Sequence, residues 1–122
     1  MATIKSYTDL EQSKKLAEIL PLESADMSWV SCDDGQQKYY QAENRKRILN
    51  YEKNHWLPCW SLAALIDVLP DEFDIVKGKV DVVDDKYMCT VFIKEELVTA
   101  FSNNPIDACY DMIIRLNELK ML

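Results

Sequence analysis

With 122 residues, 48% of them hydrophobic and 29% charged, the chain holds enough apolar material for one folded domain and too little for two independent cores. Two glycines and four prolines exclude a low-complexity chain, no apolar run approaches the ~18 residues of a membrane span, and no basic segment followed by an apolar one marks a signal peptide, so the cytoplasm is the expected location. The net charge of −7 argues against broad wrapping of a nucleic-acid backbone, although residues 36–56 form a basic island of five cations against two carboxylates.

In chain order, Thr8-Asp9-Leu10-Glu11 has the pattern of a capping box, with Thr8 set to cap the N3 amide and Glu11 to reach back. A first helix is expected from there to about Leu20, where Pro21 ends it. Leu10, Leu16, Ala17 and Leu20 supply its apolar face, while Glu11, Lys14, Lys15 and Glu18 face water. Met27 to Cys32 is short, aromatic and β-branched, and the turn Asp33-Asp34-Gly35 follows it, so it reads as a strand pairing with Lys38-Tyr39-Tyr40-Gln41 in a hairpin. From Ala42 to His55 the periodicity fades and both helix and strand stay open.

Leu57 to Pro70 is the most apolar and best punctuated stretch. Ser61 can cap a helix, Trp60 can staple onto Leu65, Leu62, Leu65, Ile66 and Leu69 recur on one helical face, and Pro70 stops the run. A two-turn helix is unstable alone in water, so it must be a core element. A β-rich region follows: Phe73 to Val76, Val80 to Val83, Tyr87 to Ile93 and a short strand over Val98 to Phe101. Lys77-Gly78 and Asp84-Asp85 serve as turns, and the short loops dictate an antiparallel meander; Gly78 could instead mark a bulge. Asn104 as N-cap and Pro105 at N1 open the last helix, with Ile106, Cys109, Tyr110, Ile113 and Leu116 on its apolar face, Met112 and Leu119 beside them, and an Asp111–Arg115 pair on the wet side.

The cysteines, at 32, 59, 89 and 109, form no C-x-x-C pair and read as small buried hydrophobes in a reducing compartment; no metal is expected. Asp33-Asp34, Asp71-Glu72, Asp84-Asp85 and Glu95-Glu96 lie at turns or strand ends and read as solvated carboxylates. The two glycines stand alone, so no phosphate-cradling loop exists and no cofactor is expected. His55, the single histidine, has no serine or cysteine motif beside it and reads as a surface or capping residue rather than a base. What remains is the interleaving of cations and aromatics over Lys38 to Trp56. It supports a contact surface of Tyr39, Tyr40, Arg45, Lys46, Arg47, Tyr51 and His55, for a protein or, less in keeping with the overall acidity, for single-stranded nucleic acid.

Three patches, LEQSKKLAEILPLESADM (10–27), LPCWSLAALIDVLP (57–70) and NPIDACYDMIIRLNELKML (104–122), resemble small proteins of Bacteroides-type gut bacteria and of their prophages and mobile elements. That resemblance implies an N-terminal helix, a Pro-x-Trp-Ser-Leu helix and a closing Asn-Pro-x-Asp-Ala helix in an α+β fold, in a bacterial or phage cytoplasmic setting, and it brings no activity to any residue. The expectation is therefore an α+β fold over residues 1–122 as one domain, with an antiparallel sheet and about three helices packed on one face. The expected role is that of a non-enzymatic accessory or interaction protein, binding an unknown protein or a second copy of itself. Two alternatives stand beside it: weak single-stranded nucleic-acid binding through residues 38–56, and a small-molecule-binding module or enzyme.

Overall fold

The computed structural model describes residues 5–33, 38–43, 56–77 and 86–122. The fold is α+β, with three α-helices and two three-stranded antiparallel sheets. The chain divides into two compact units, Tyr7–Ala64 and Leu65–Leu122 with the N-terminal segment, so the expected hairpin and meander belong to separate sheets.

In the first unit α1 runs over Leu10–Ile19. Its N-cap is Asp9, one residue later than the capping pattern suggested: the Asp9 carboxylate accepts from the Gln12 amide at 2.8 Å, and the Gln12 side chain accepts from the Asp9 amide at 3.1 Å. Both Thr8 and Asp9 are good caps, and the choice falls on Asp9 because Thr8 is spent elsewhere, fully buried in the core. Leu16 and Leu20 are buried, and Leu20 donates back to the Leu16 carbonyl before Pro21. A single 3-10 turn at Leu22–Ser24 leads to β1 (Met27–Asp33). This strand is central, flanked antiparallel by β2 (Lys38–Glu43) and β3 (Trp56–Cys59). The hairpin expected from sequence is there, in a register that sets Ser31 opposite Tyr40 and Cys32 opposite Tyr39. Strand β3 was not foreseen, because Pro58 within it argues against a strand; an edge position tolerates the missing N–H, and Pro58 sits there opposite Ser28.

Thr8 ties this unit together. Its N–H donates to the Trp60 carbonyl at 2.9 Å, its hydroxyl accepts from the Trp60 amide at 3.2 Å and lies 2.8 Å from the Ser13 hydroxyl, and its carbonyl accepts from the Trp29 indole at 3.0 Å. The ring of Tyr7 meets that of Trp29 edge-on at 5.6 Å. Trp60 is fully buried, with its indole N–H on the Ser24 hydroxyl at 2.9 Å, so the one polar atom of a large apolar side chain is satisfied. Ser61 caps α2 (Leu62–Val68) as expected, accepting from the Ala64 amide at 3.3 Å, and its own amide is held by Asp26. Leu65 and Leu69 are buried, whereas Leu62 and Ile66 are half-buried.

The second unit is a meander, β4 (Phe73–Lys77), β5 (Tyr87–Ile93) and β6 (Glu96–Ser102), followed by α3 (Pro105–Glu118). Val80 to Val83, Gly78 and Asp84-Asp85 lie outside the described residues. Strand β6 is longer at both ends than expected and begins directly after a two-residue turn, Lys94-Glu95, whose φ angles are 50° and 64°. That turn matches the right-handed twist of the strands, and it uses neither of the residues, Gly and Asn, that normally signal it. Asn104 accepts from the Asp107 amide at 2.9 Å with Pro105 at N1, as expected. Asp107 also takes an ion pair from Lys5 at 2.8 Å. The helix ends in a Schellman motif: the amides of Lys120 and Met121 bond to the carbonyls of Asn117 and Leu116, with Lys120 left-handed at φ 59°. Cys89, Val91, Val98 and Ala100 on the sheet and Ile106, Cys109, Met112, Ile113 and Leu116 on the helix are buried, so α3 packs against β5 and β6; Phe73 of β4, in register with Val91, stays exposed.

Candidate functional site

Side chains alternate across a strand, so the residues of β4 to β6 that do not face α3 form a second face. Register places Val76, Met88 and Phe101 in one row across the sheet, Asp74, Thr90 and Thr99 in the next, and Phe92 beside Leu97 in a third. Met88, Thr90 and Thr99 are half-buried, and the others are exposed. Leu97 is 67% exposed, Phe101 49%, Phe92 48% and Val76 39%. Single exposed apolar side chains are ordinary on a protein surface, but a set aligned by register on one face of one sheet is a surface with something to gain from contact.

Strand β6 also presents an open backbone edge. Among the described residues it pairs with β5 alone. A two-residue turn makes the pair that flanks it, Ile93 and Glu96, a hydrogen-bonded pair, and such pairs then alternate along the ladder. The N–H and C=O groups of Glu96, Val98, Ala100 and Ser102 therefore face β5, and those of Leu97, Thr99 and Phe101 face outward. Two bonds agree with this assignment. The Phe92 amide, expected to point away from β6, donates to Glu72 at 3.0 Å, and the Thr99 carbonyl, expected to point outward, accepts from Arg115 at 3.1 Å.

Along this edge, between β6 and α3, runs an open groove of about 620 Å³ lined by Thr99, Ala100, Phe101, Tyr110, Asp111, Ile114, Arg115 and Glu118. Asp111 and Arg115, expected to pair with each other, instead turn to the strand: Asp111 accepts from Ser102 at 2.9 Å and Arg115 donates to Thr99. An edge strand beside a helix, with a groove between them, is the geometry by which folded domains capture an additional extended strand.

The seven contact residues expected from sequence are not brought together in what is described. Tyr39 and Tyr40 fall on β2, with their side chains outside the described residues, and Arg45, Lys46, Arg47, Tyr51 and His55 lie wholly outside them. Among the described residues no group of three or more His, Cys, Asp and Glu comes together to hold a metal, and no helix is long and apolar enough to cross a membrane.

Of the four cysteines read as buried, those at 59, 89 and 109 are buried free thiols, and the side chain of Cys32 lies outside the described residues. Burial pushes the Cys59 thiol up to about 11, against the opposing hydrogen bonds of Thr8 and Ser13. Cys109 gives its hydrogen bond to Cys89 across the β5–α3 interface and is desolvated there, and both effects push its thiol up. The same hydrogen bond holds the Cys89 thiol below its ordinary value, but Cys89 is fully buried; a nucleophilic cysteine needs both a depressed value and access, and none of the three has both, so these thiols read as packing groups.

Compared with protein families, with curated proteins and with solved structures, the chain matches no family model, no curated protein and no solved structure.

Proposed function

We propose that this chain is a non-enzymatic interaction protein that binds a protein partner through the sheet of its second unit. One observation carries the reading: on a single strand, β6, an open backbone edge coincides with the two most exposed large apolar side chains among the described residues, Leu97 and Phe101. The edge offers main-chain hydrogen bonds and the apolar side chains offer area, the two components of strand-addition binding. The uncovered face carries Asp74 and no cation among its rows, which suits a protein surface and not a phosphate backbone. Three buried free thiols fit a reducing compartment such as the cytoplasm.

A photo-reactive phenylalanine analogue at position 92, introduced in living cells, tests the reading. Discrete adducts with protein are expected from position 92 and not from the same analogue at Lys15, an exposed position on α1. Absence of adducts at 92, or equal adducts at both positions, contradicts it.

A further inference from the structure

We infer that the occupant of this edge is a second copy of the chain, with β6 pairing antiparallel to β6 of its partner about a two-fold axis through Thr99. The inference rests on the interaction reading above and adds the identity of the partner and the register.

The segment Leu97-Val98-Thr99-Ala100-Phe101 is close to palindromic in character, with large apolar residues two positions from Thr99 and small apolar ones adjacent to it. Antiparallel pairing centred on Thr99 sets Leu97 opposite Phe101 of the other copy, Thr99 opposite Thr99 and Phe101 opposite Leu97. These are the three residues whose N–H and C=O groups face outward, so all three positions become hydrogen-bonded pairs and no outward group of the segment is left over. A register shifted by one residue sets outward groups of one strand against inward groups of the other. Leu97 and Phe101 then meet on the uncovered face, turning two exposed side chains in each copy into two cross-strand apolar contacts.

Charge agrees with the register. Glu96 falls opposite Ser102 and Glu95 opposite Asn103, so no like charges oppose one another across the pair. Natural edge strands are usually guarded by a proline, a bulge or an inward-pointing charge, and Leu97 to Phe101 has none of these. Arg115 does not block the edge, because the Thr99 carbonyl has a second lone pair free for the partner's amide while Arg115 keeps its bond.

Sedimentation equilibrium of the full chain at micromolar concentration tests the inference, with a mass twice the 14.2 kDa of the monomer as the expected result. Two double variants then test the register. L97K/F101K sets lysine opposite lysine and L97E/F101E sets glutamate opposite glutamate, so each alone should halve the mass, and an equimolar mixture should restore it as a heterodimer. Both positions are exposed, and circular dichroism checks that the variants are folded. T99P removes the amide at the axis, which makes no bond within the sheet, and should also give monomer. A wild-type chain that stays monomeric overturns the inference, as does a dimer that survives the charge variants and T99P, or a mixture that fails to reassociate. Monomeric wild type with adducts to another protein from position 92 sinks the self-pairing alone. Monomeric wild type without such adducts sinks the interaction reading as well.

Discussion

Thr8 shows how much one buried hydroxyl can organise. Removing it takes a hydrogen-bond partner from the Trp60 amide and from the Ser13 hydroxyl in a fully buried site, so Thr8→Val is expected to cost about 1–3 kcal/mol and Thr8→Ser distinctly less, read as shifts in the urea midpoint. Trp60→Ala removes the largest fully buried side chain among the described residues and should cost about 3–5 kcal/mol by the same measurement. Cys59 makes a pH prediction. Its thiol is held at about 11 in the folded chain against 9.0 for an ordinary thiol, so the folded state keeps the proton while the unfolded state loses it. The resulting stability is fully present below pH ~9 and is lost as pH rises toward 11, by roughly 2 kcal/mol for a gap of this size. Cys59→Ala lacks this term, so its deficit relative to wild type should shrink between pH 8 and pH 11; a constant deficit contradicts the assignment.

At the scale of elements, three residues at two sites carry left-handed strain that the sequence does not advertise. The Lys94-Glu95 turn and the Lys120 helix stop adopt positive φ without glycine or asparagine, each at a cost of roughly 1 kcal/mol per residue. Replacing Lys94-Glu95 by Asn-Gly, and Lys120 by Gly, should each raise the melting temperature, with the register of β5 and β6 unchanged. What was legible beforehand were the elements with agreeing local signals: α2 with Ser61 and Pro70, α3 with Asn104 and Pro105, and the antiparallel pairing of β1 with β2; the expected turn at Asp34-Gly35 lies outside the described residues. The shift of the first cap from Thr8 to Asp9 follows from two things: aspartate is the somewhat stronger cap, and the Thr8 hydroxyl is held by the Trp60 amide, a tertiary contact no local pattern shows. Strand β3 was hidden by Pro58, and the start of β6 by a turn without turn residues. The candidate surface was the least legible feature. Leu97 to Phe101 is apolar at every position but Thr99, a pattern that does not reveal which face α3 covers, whereas the cations and tyrosines of residues 38–56 stand out by composition alone.

The whole molecule is an acidic chain whose second unit exposes an apolar sheet face and, among the described residues, an unguarded edge. Two copies each of net charge −7 repel, so their pairing should tighten as salt shortens the Debye length from ~10 Å at 0.1 M to ~3 Å at 1 M. Nucleic-acid binding would weaken over the same range, which makes salt dependence a discriminating observation. The most direct test of β6 as the interaction edge is hydrogen exchange of its individual amides as a function of chain concentration. The account predicts that the amides of Leu97, Thr99 and Phe101, which point away from β5, exchange rapidly in dilute solution and become protected as concentration rises, while those of Val98 and Ala100 are protected throughout. Exchange of the three outward amides that is independent of concentration would contradict it.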